Sequence, residues 1–145
     1  MRLAANQWPC GIREKRTLIR EFMAILLSFD IDGTLETGDP PGRITIAMVK
    51  KAQALGYLIG SCSDKPISAQ KVMWERFDVP VLFTVAKHQL PIVRESHAAR
   101  AYFHIGDTDV DFHAARNAGF GFWWNHEGEN EPWLEHELAH LLQAR

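Results

Sequence analysis

Four acidic side chains, one hydroxyl and one ammonium follow short apolar runs in this chain, and together they have the chemistry to handle a phosphate ester. Asp30 and Asp32 lie in Phe29-Asp30-Ile31-Asp32-Gly33-Thr34-Leu35, and Ser63 lies in Gly60-Ser61-Cys62-Ser63-Asp64-Lys65-Pro66. Lys87 follows a third run, and Asp107 and Asp111 lie in Ile105-Gly106-Asp107-Thr108-Asp109-Val110-Asp111. Carboxylates gathered this closely repel one another unless a cation joins them. Hard oxygen ligands at this density suit magnesium, which would also cancel the charge of an incoming phosphate. Asp30 is then the expected oxygen nucleophile, and an aspartyl-phosphate divides hydrolysis into two easier steps. Asp32 falls on the same side of an extended chain and is expected to protonate the leaving oxygen and later deprotonate water. Ser63 would donate a hydrogen bond to the transferring phosphoryl group and Lys87 would neutralise it. Asp107 is the expected direct metal ligand, with Asp111 acting through water or by orienting the shell.

Each residue also has a plainer reading. Asp-Gly and Gly-Asp pairs are ordinary turn chemistry. Ser61, Ser63 and Asp64 could cap a helix starting near Pro66, and a lone lysine is more often a solvated one. The joint pattern carries the weight, because every site comes directly after an apolar run.

Those runs are Ala24–Phe29, Tyr57–Ser61, Val79–Val85, Ala101–Ile105 and Phe120–Trp124, each about one strand long and continuous rather than alternating. Between them lie helical spacings: Ile44, Met48, Ala52 and Leu55; Ala69, Val72, Met73 and Phe77; Ile92, Val93 and Ala99; and Phe112, Ala115 and Ala118. A last amphipathic helix is expected from Trp133 to Leu142. Strand alternating with helix predicts an α/β fold: a three-layer, doubly wound, Rossmann-like parallel sheet of five strands with helices on both faces. Ligands then bind outside the carboxyl ends of the strands, where the six residues fall. Gly38-Asp39-Pro40-Pro41-Gly42 reads as a loop.

Composition narrows the setting. At 145 residues and net charge -2, the chain fits one domain with a sufficient core and gives no sign of a nucleic-acid arm. Two cysteines, Cys10 and Cys62, do not make a disulfide framework, and Cys62 reads as a buried thiol, so a cytoplasmic setting is expected. The apolar stretch after Arg13, Lys15, Arg16 and Arg20 is too short for a membrane span and has no cleavage site, so no membrane association is expected. Residues 1–22 are expected to be a dispensable extension, with a helix over Ile12 to Phe22, and residues 23–145 the core domain.

At this point the chain resembles the haloacid dehalogenase superfamily. Phe29-Asp30-Ile31-Asp32-Gly33-Thr34-Leu35 matches that family's first motif. Ile105-Gly106-Asp107-Thr108-Asp109-Val110-Asp111, with Ala114 to Gly119, is similar to its fourth. The resemblance implies that Asp30 is the nucleophile and Asp32 the acid and base, with magnesium held by the Asp30 side chain, the Asp32 main-chain carbonyl and Asp107. Ser63-Asp64-Lys65-Pro66 resembles the second motif and favours Ser63 over Ser61. Lys87 stands at the third, although His88 replaces a frequent proline, which leaves Lys65 as a second choice. An acid at Asp32 marks the family's phosphatases and not its dehalogenases. About thirty residues separate Asp32 from Ser63 and about twenty separate Lys87 from Asp107, too few for a cap domain. An open site implies a large or extended phosphorylated substrate, or a cover lent by a second subunit in a homo-oligomer. A catalytically silent domain that binds metal or a partner is the alternative.

One motif competes. His136-Glu137-Leu138-Ala139-His140 matches the HExxH spacing of zinc peptidases. No third ligand follows it in this sequence, and an amphipathic helix face is the preferred reading. Trp123, Trp124 and Trp133 are expected to pack in the core at the sheet edge. His97, His104 and His113 receive no role.

Overall fold

The computed structural model describes residues 23–143, with side chains through Glu137. The extension expected over residues 1–22, and Cys10 with it, lies outside the described residues. Five parallel strands, β1 (Ile25–Phe29), β2 (Leu58–Cys62), β3 (Phe83–Val85), β4 (Ala101–Gly106) and β5 (Gly121–Trp124), form one sheet in the order β3-β2-β1-β4-β5. The connecting helices are α1 (Ile46–Ala54), α2 (Ile67–Arg76), α3 (Leu90–Ser96), α4 (Asp109–Ala118), α5 (Asn125–Gly128) and α6 (Pro132–Gln143). A single 3-10 turn, Lys87–Gln89, precedes α3. Among the described residues, no helix is long and apolar enough to cross a membrane.

Alternation along β1 divides the core. Ile25, Leu27 and Phe29 pack with α1, α2 and Trp133 of α6 on one face, while Leu26 packs with α3 and α4 on the other. This is the three-layer arrangement expected of continuous apolar strands. Two of the expected helix faces are turned, however. α1 begins at Ile46 behind its Thr45 cap, whose Oγ1 accepts the Met48 N–H at 3.1 Å. Its buried face is therefore Ile46, Val49 and Ala52. Ile44 lies before the helix, bridged to Leu35, and Leu55 is 58% exposed. In α2 the buried face is Gln70, Met73 and Trp74, and Val72 is 56% exposed. The third strand is also shorter than its apolar run. Asp78 turns the chain at φ 56, Val79 packs into the core, Pro80 has no N–H to give, and pairing starts only at Phe83.

The order of strands reverses between β1 and β4, so their carboxyl ends open the crevice where such sheets bind ligands. Asp30 follows β1 and Asp107 follows β4. Trp133 is buried, Trp123 and Trp124 are half-buried, and Cys62 is a buried free thiol.

Candidate active site

Asp30 is the first residue beyond β1. Its N–H donates to the Ile105 carbonyl at 2.9 Å, which ties the two strands together at their ends. Its side chain is buried, with Oδ1 accepting the Ile31 N–H at 2.8 Å. Lys87, from the turn after β3, brings Nζ to 3.5 Å from Asp30 Oδ2, 3.4 Å from Asp111 Oδ1 and 3.2 Å from Asp64 Oδ2. Burial would lower the pKa of this ammonium, but the three carboxylates hold it above its ordinary value.

Asp111 anchors the other side. At the third position of α4 its Oδ2 accepts the Thr108 N–H at 3.2 Å, while Thr108 caps the helix in return. Oδ2 also accepts the Thr108 hydroxyl at 3.0 Å and the Asp107 N–H at 3.3 Å. Its Oδ1 lies 3.0 Å from His104 Nε2, and His104 Nδ1 lies 2.9 Å from Ser28 Oγ, all three residues buried. Burial pulls the Asp111 pKa up, but the His104 hydrogen bond and charge, a bond to Asp30 and the Lys87 charge hold it well below the usual carboxylate range.

Asp30 is pushed the opposite way, up to about 8, by burial first and by Asp111 second, with Lys87 only partly compensating. Asp107 is also raised, by burial and then by Asp111. Carboxylate oxygens of Asp30, Asp107 and Asp111 lie within 4.8 Å of one another. Such an all-oxygen donor set, in which two members resist ionising together, fits a hard divalent cation. Two glycines make the approach possible. A Cβ at Gly33, where φ is +76°, would stand 1.9 Å from Asp107 Oδ2, and one at Gly106 would stand 2.3 Å from Asp111 Cγ.

The remaining expected residues divide. Asp32 does not join the acidic cluster: its Oδ1 accepts the Asp39 N–H at 2.8 Å and lies 3.5 Å from Lys65 Nζ. Ser63 is buried, and its Oγ accepts the Lys65 N–H at 3.1 Å, with no acceptor for the hydroxyl proton among the described residues. Ser61 is fully engaged in the core, donating to Gln70 at 2.7 Å and accepting from Trp74 at 2.9 Å. α2 has no side-chain cap, so neither serine caps it. Lys87 stands beside Asp30, and Lys65 beside Asp32. His104, Ser28 and Asp64 are the members that sequence reasoning did not assign to the site. The first two are cross-strand partners in the β1–β4 register, a relation that only the sheet reveals.

In the competing HExxH segment, Glu137 is held by Arg100, and the His136 ring lies against Phe103 and Trp123 at 4.9 and 6.0 Å. Glu137 is thus turned towards Arg100, and the His140 side chain lies outside the described residues. Neither a protein-family model nor a curated protein matches the chain. Fold and site together define an α/β domain with a cluster of three aspartates, able to hold a metal ion, at the crossover of its sheet.

Proposed function

We propose that this chain is a magnesium-dependent phosphomonoester phosphatase of the haloacid dehalogenase type, working through an aspartyl-phosphate on Asp30. The observation that carries the reading is the placement of buried Asp30 at the sheet crevice, with Lys87 at 3.5 Å and the oxygens of Asp107 and Asp111 within 4.8 Å. Magnesium would be held by the Asp30 and Asp107 side chains and the Asp32 carbonyl, with Asp111 orienting the shell. Once bound, the ion supplies positive charge that keeps Asp30 ionised and offsets that of the phosphate.

In the first step an Asp30 oxygen attacks phosphorus. The bond from phosphorus to the ester oxygen breaks, and Asp32 gives that oxygen its proton. In the second, Asp32 takes a proton from water, the water oxygen attacks phosphorus, and the bond to Asp30 breaks to release phosphate. Lys87 and the Ser63 hydroxyl offset charge on the transferring group. The Asp39 N–H and Lys65 hold Asp32 in place between steps.

An aryl-phosphate assay with and without magnesium tests this. Wild type should turn over only with the ion, and folded Asp30→Asn should be inactive. Turnover that persists in Asp30→Asn would remove the nucleophile.

A further inference from the structure

Two clefts are lined by the lysines that pair with Asp30 and Asp32. The larger, about 660 Å³, lies beside Lys87 between the turn after β3 and α4. The other, about 410 Å³, begins at Lys65 and runs along α2 with Thr37 on its opposite wall. The chemistry of the reaction chooses between them. A general acid must touch the oxygen it protonates, so the alcohol half of the substrate starts at Asp32. Asp32 is paired with Lys65, which lines the smaller cleft.

That cleft has a definite character. Ala69, Val72, Met73 and Arg76 recur at helical spacing and line it together. Val72 is an exposed apolar side chain with no core role. Thr37 fixes the facing loop through its hydroxyl, 3.1 Å from Met73 Sδ. The cationic ends differ: Lys65 is offset by Asp32, whereas Arg76 is exposed and has no acidic partner among the described residues. The ten residues of α2 measure roughly 15 Å along the axis.

We infer that the α2 cleft is the leaving-group subsite, and that it selects phosphate monoesters of elongated alcohols with an apolar body and a second anionic group that reaches Arg76. The inference rests on the phosphatase reading, since Asp32 sets where the alcohol begins. Small polar phosphates leave both Val72 and Arg76 untouched, so the cleft gives them nothing beyond the phosphate contacts.

The test compares three substrates with magnesium: para-nitrophenyl phosphate, decyl phosphate, and the phosphate monoester of omega-hydroxydecanoic acid. Wild type should prefer the carboxylate-tipped ester over decyl phosphate by about fivefold in kcat/KM, the scale of one exposed ion pair, mainly through KM. Arg76→Glu should abolish or invert that preference, read as the ratio of kcat/KM for the two decyl esters within the same folded variant. Val72→Ser should weaken use of both decyl esters alike. Equal use of the two esters by wild type, or a preference that survives Arg76→Glu, overturns the inference and leaves the phosphatase reading standing. No turnover of any of the three by folded wild type overturns both.

Discussion

His104 Nε2 lies 3.0 Å from Asp111 Oδ1, and the same ring reaches back through Nδ1 to Ser28 Oγ at 2.9 Å. The acidic site is thereby fastened to the middle of the sheet. Replacing His104 by Phe leaves a buried carboxylate oxygen and a buried hydroxyl short of partners, at a cost of about 1–3 kcal/mol. We expect a lower urea midpoint with unchanged slope, and weaker magnesium binding by calorimetry. Ser28→Ala should cost less, about 1 kcal/mol, because the imidazole keeps its bond to Asp111. An equal loss in the two variants would count against the anchor.

The raised Asp30 pKa sets a pH dependence whose sign is unusual for an aspartate. Its folded value of about 8 lies above the ordinary 3.8. Between these values the native state keeps a proton that the unfolded chain has released, so metal-free stability falls as pH rises from about 4 to about 8. Asp107 pulls the same way. Asp111, depressed instead, contributes stability that is lost only as pH falls below the usual carboxylate range. Chemical denaturation of chelator-treated protein across this window checks the slope.

Proton release upon metal binding follows from the same group. At neutral pH, magnesium should displace a proton from Asp30, and apparent affinity should rise as pH approaches 8. Titration calorimetry in buffers of differing ionisation enthalpy measures the proton count. A heat independent of buffer would contradict it.

Lys87 should be worth more to the metal-free protein than to the loaded one. Its ammonium lies within 3.5 Å of oxygens from Asp30, Asp64 and Asp111. Lys87→Met therefore removes the ammonium that Asp30, Asp64 and Asp111 share, and leaves His104 as the remaining partner of Asp111 Oδ1. Thermal unfolding should show a lower Tm than wild type, and saturating magnesium should recover more of the deficit in the variant than it adds to wild type. Turnover should stay low even when the Tm is restored.

Gly33→Ala separates metal affinity from fold. The three atoms nearest the new methyl all belong to the Asp107 carboxylate, the end of a rotatable side chain, so the chain can fold by turning that carboxylate away. The left-handed backbone adds strain of roughly 1–2 kcal/mol. Magnesium affinity should drop about tenfold or more, a change of at least about 1.4 kcal/mol. Circular dichroism with metal titration distinguishes the two effects.

The fold was readable because each strand is a continuous apolar run, and because the acidic residues come directly after β1 and β4. What escaped reading was polar and internal. Ser28 and His104 interrupt apolar strands singly, and nothing in either run shows that the sheet sets them opposite one another. Gln70 falls outside the apolar spacing of its helix. It is buried, donating to the carbonyls of Lys65 and Val85 and accepting from Ser61. The buried faces of α1 and α2 depart from the apolar spacing for a related reason. Ile44 serves a bridge to Leu35 before α1 begins, and Val72 borders a cleft instead of the core. Periodicity reports that a face is apolar, not what covers it.

The lysine after β3 has one more implication. A positive charge on a covalent tether cannot diffuse away, so three acids of the crevice always have a counter-ion within reach, whatever the supply of free divalent ions. Scarcity of those ions should therefore leave the protein's shape intact, and returning them should refill the site without any need to refold.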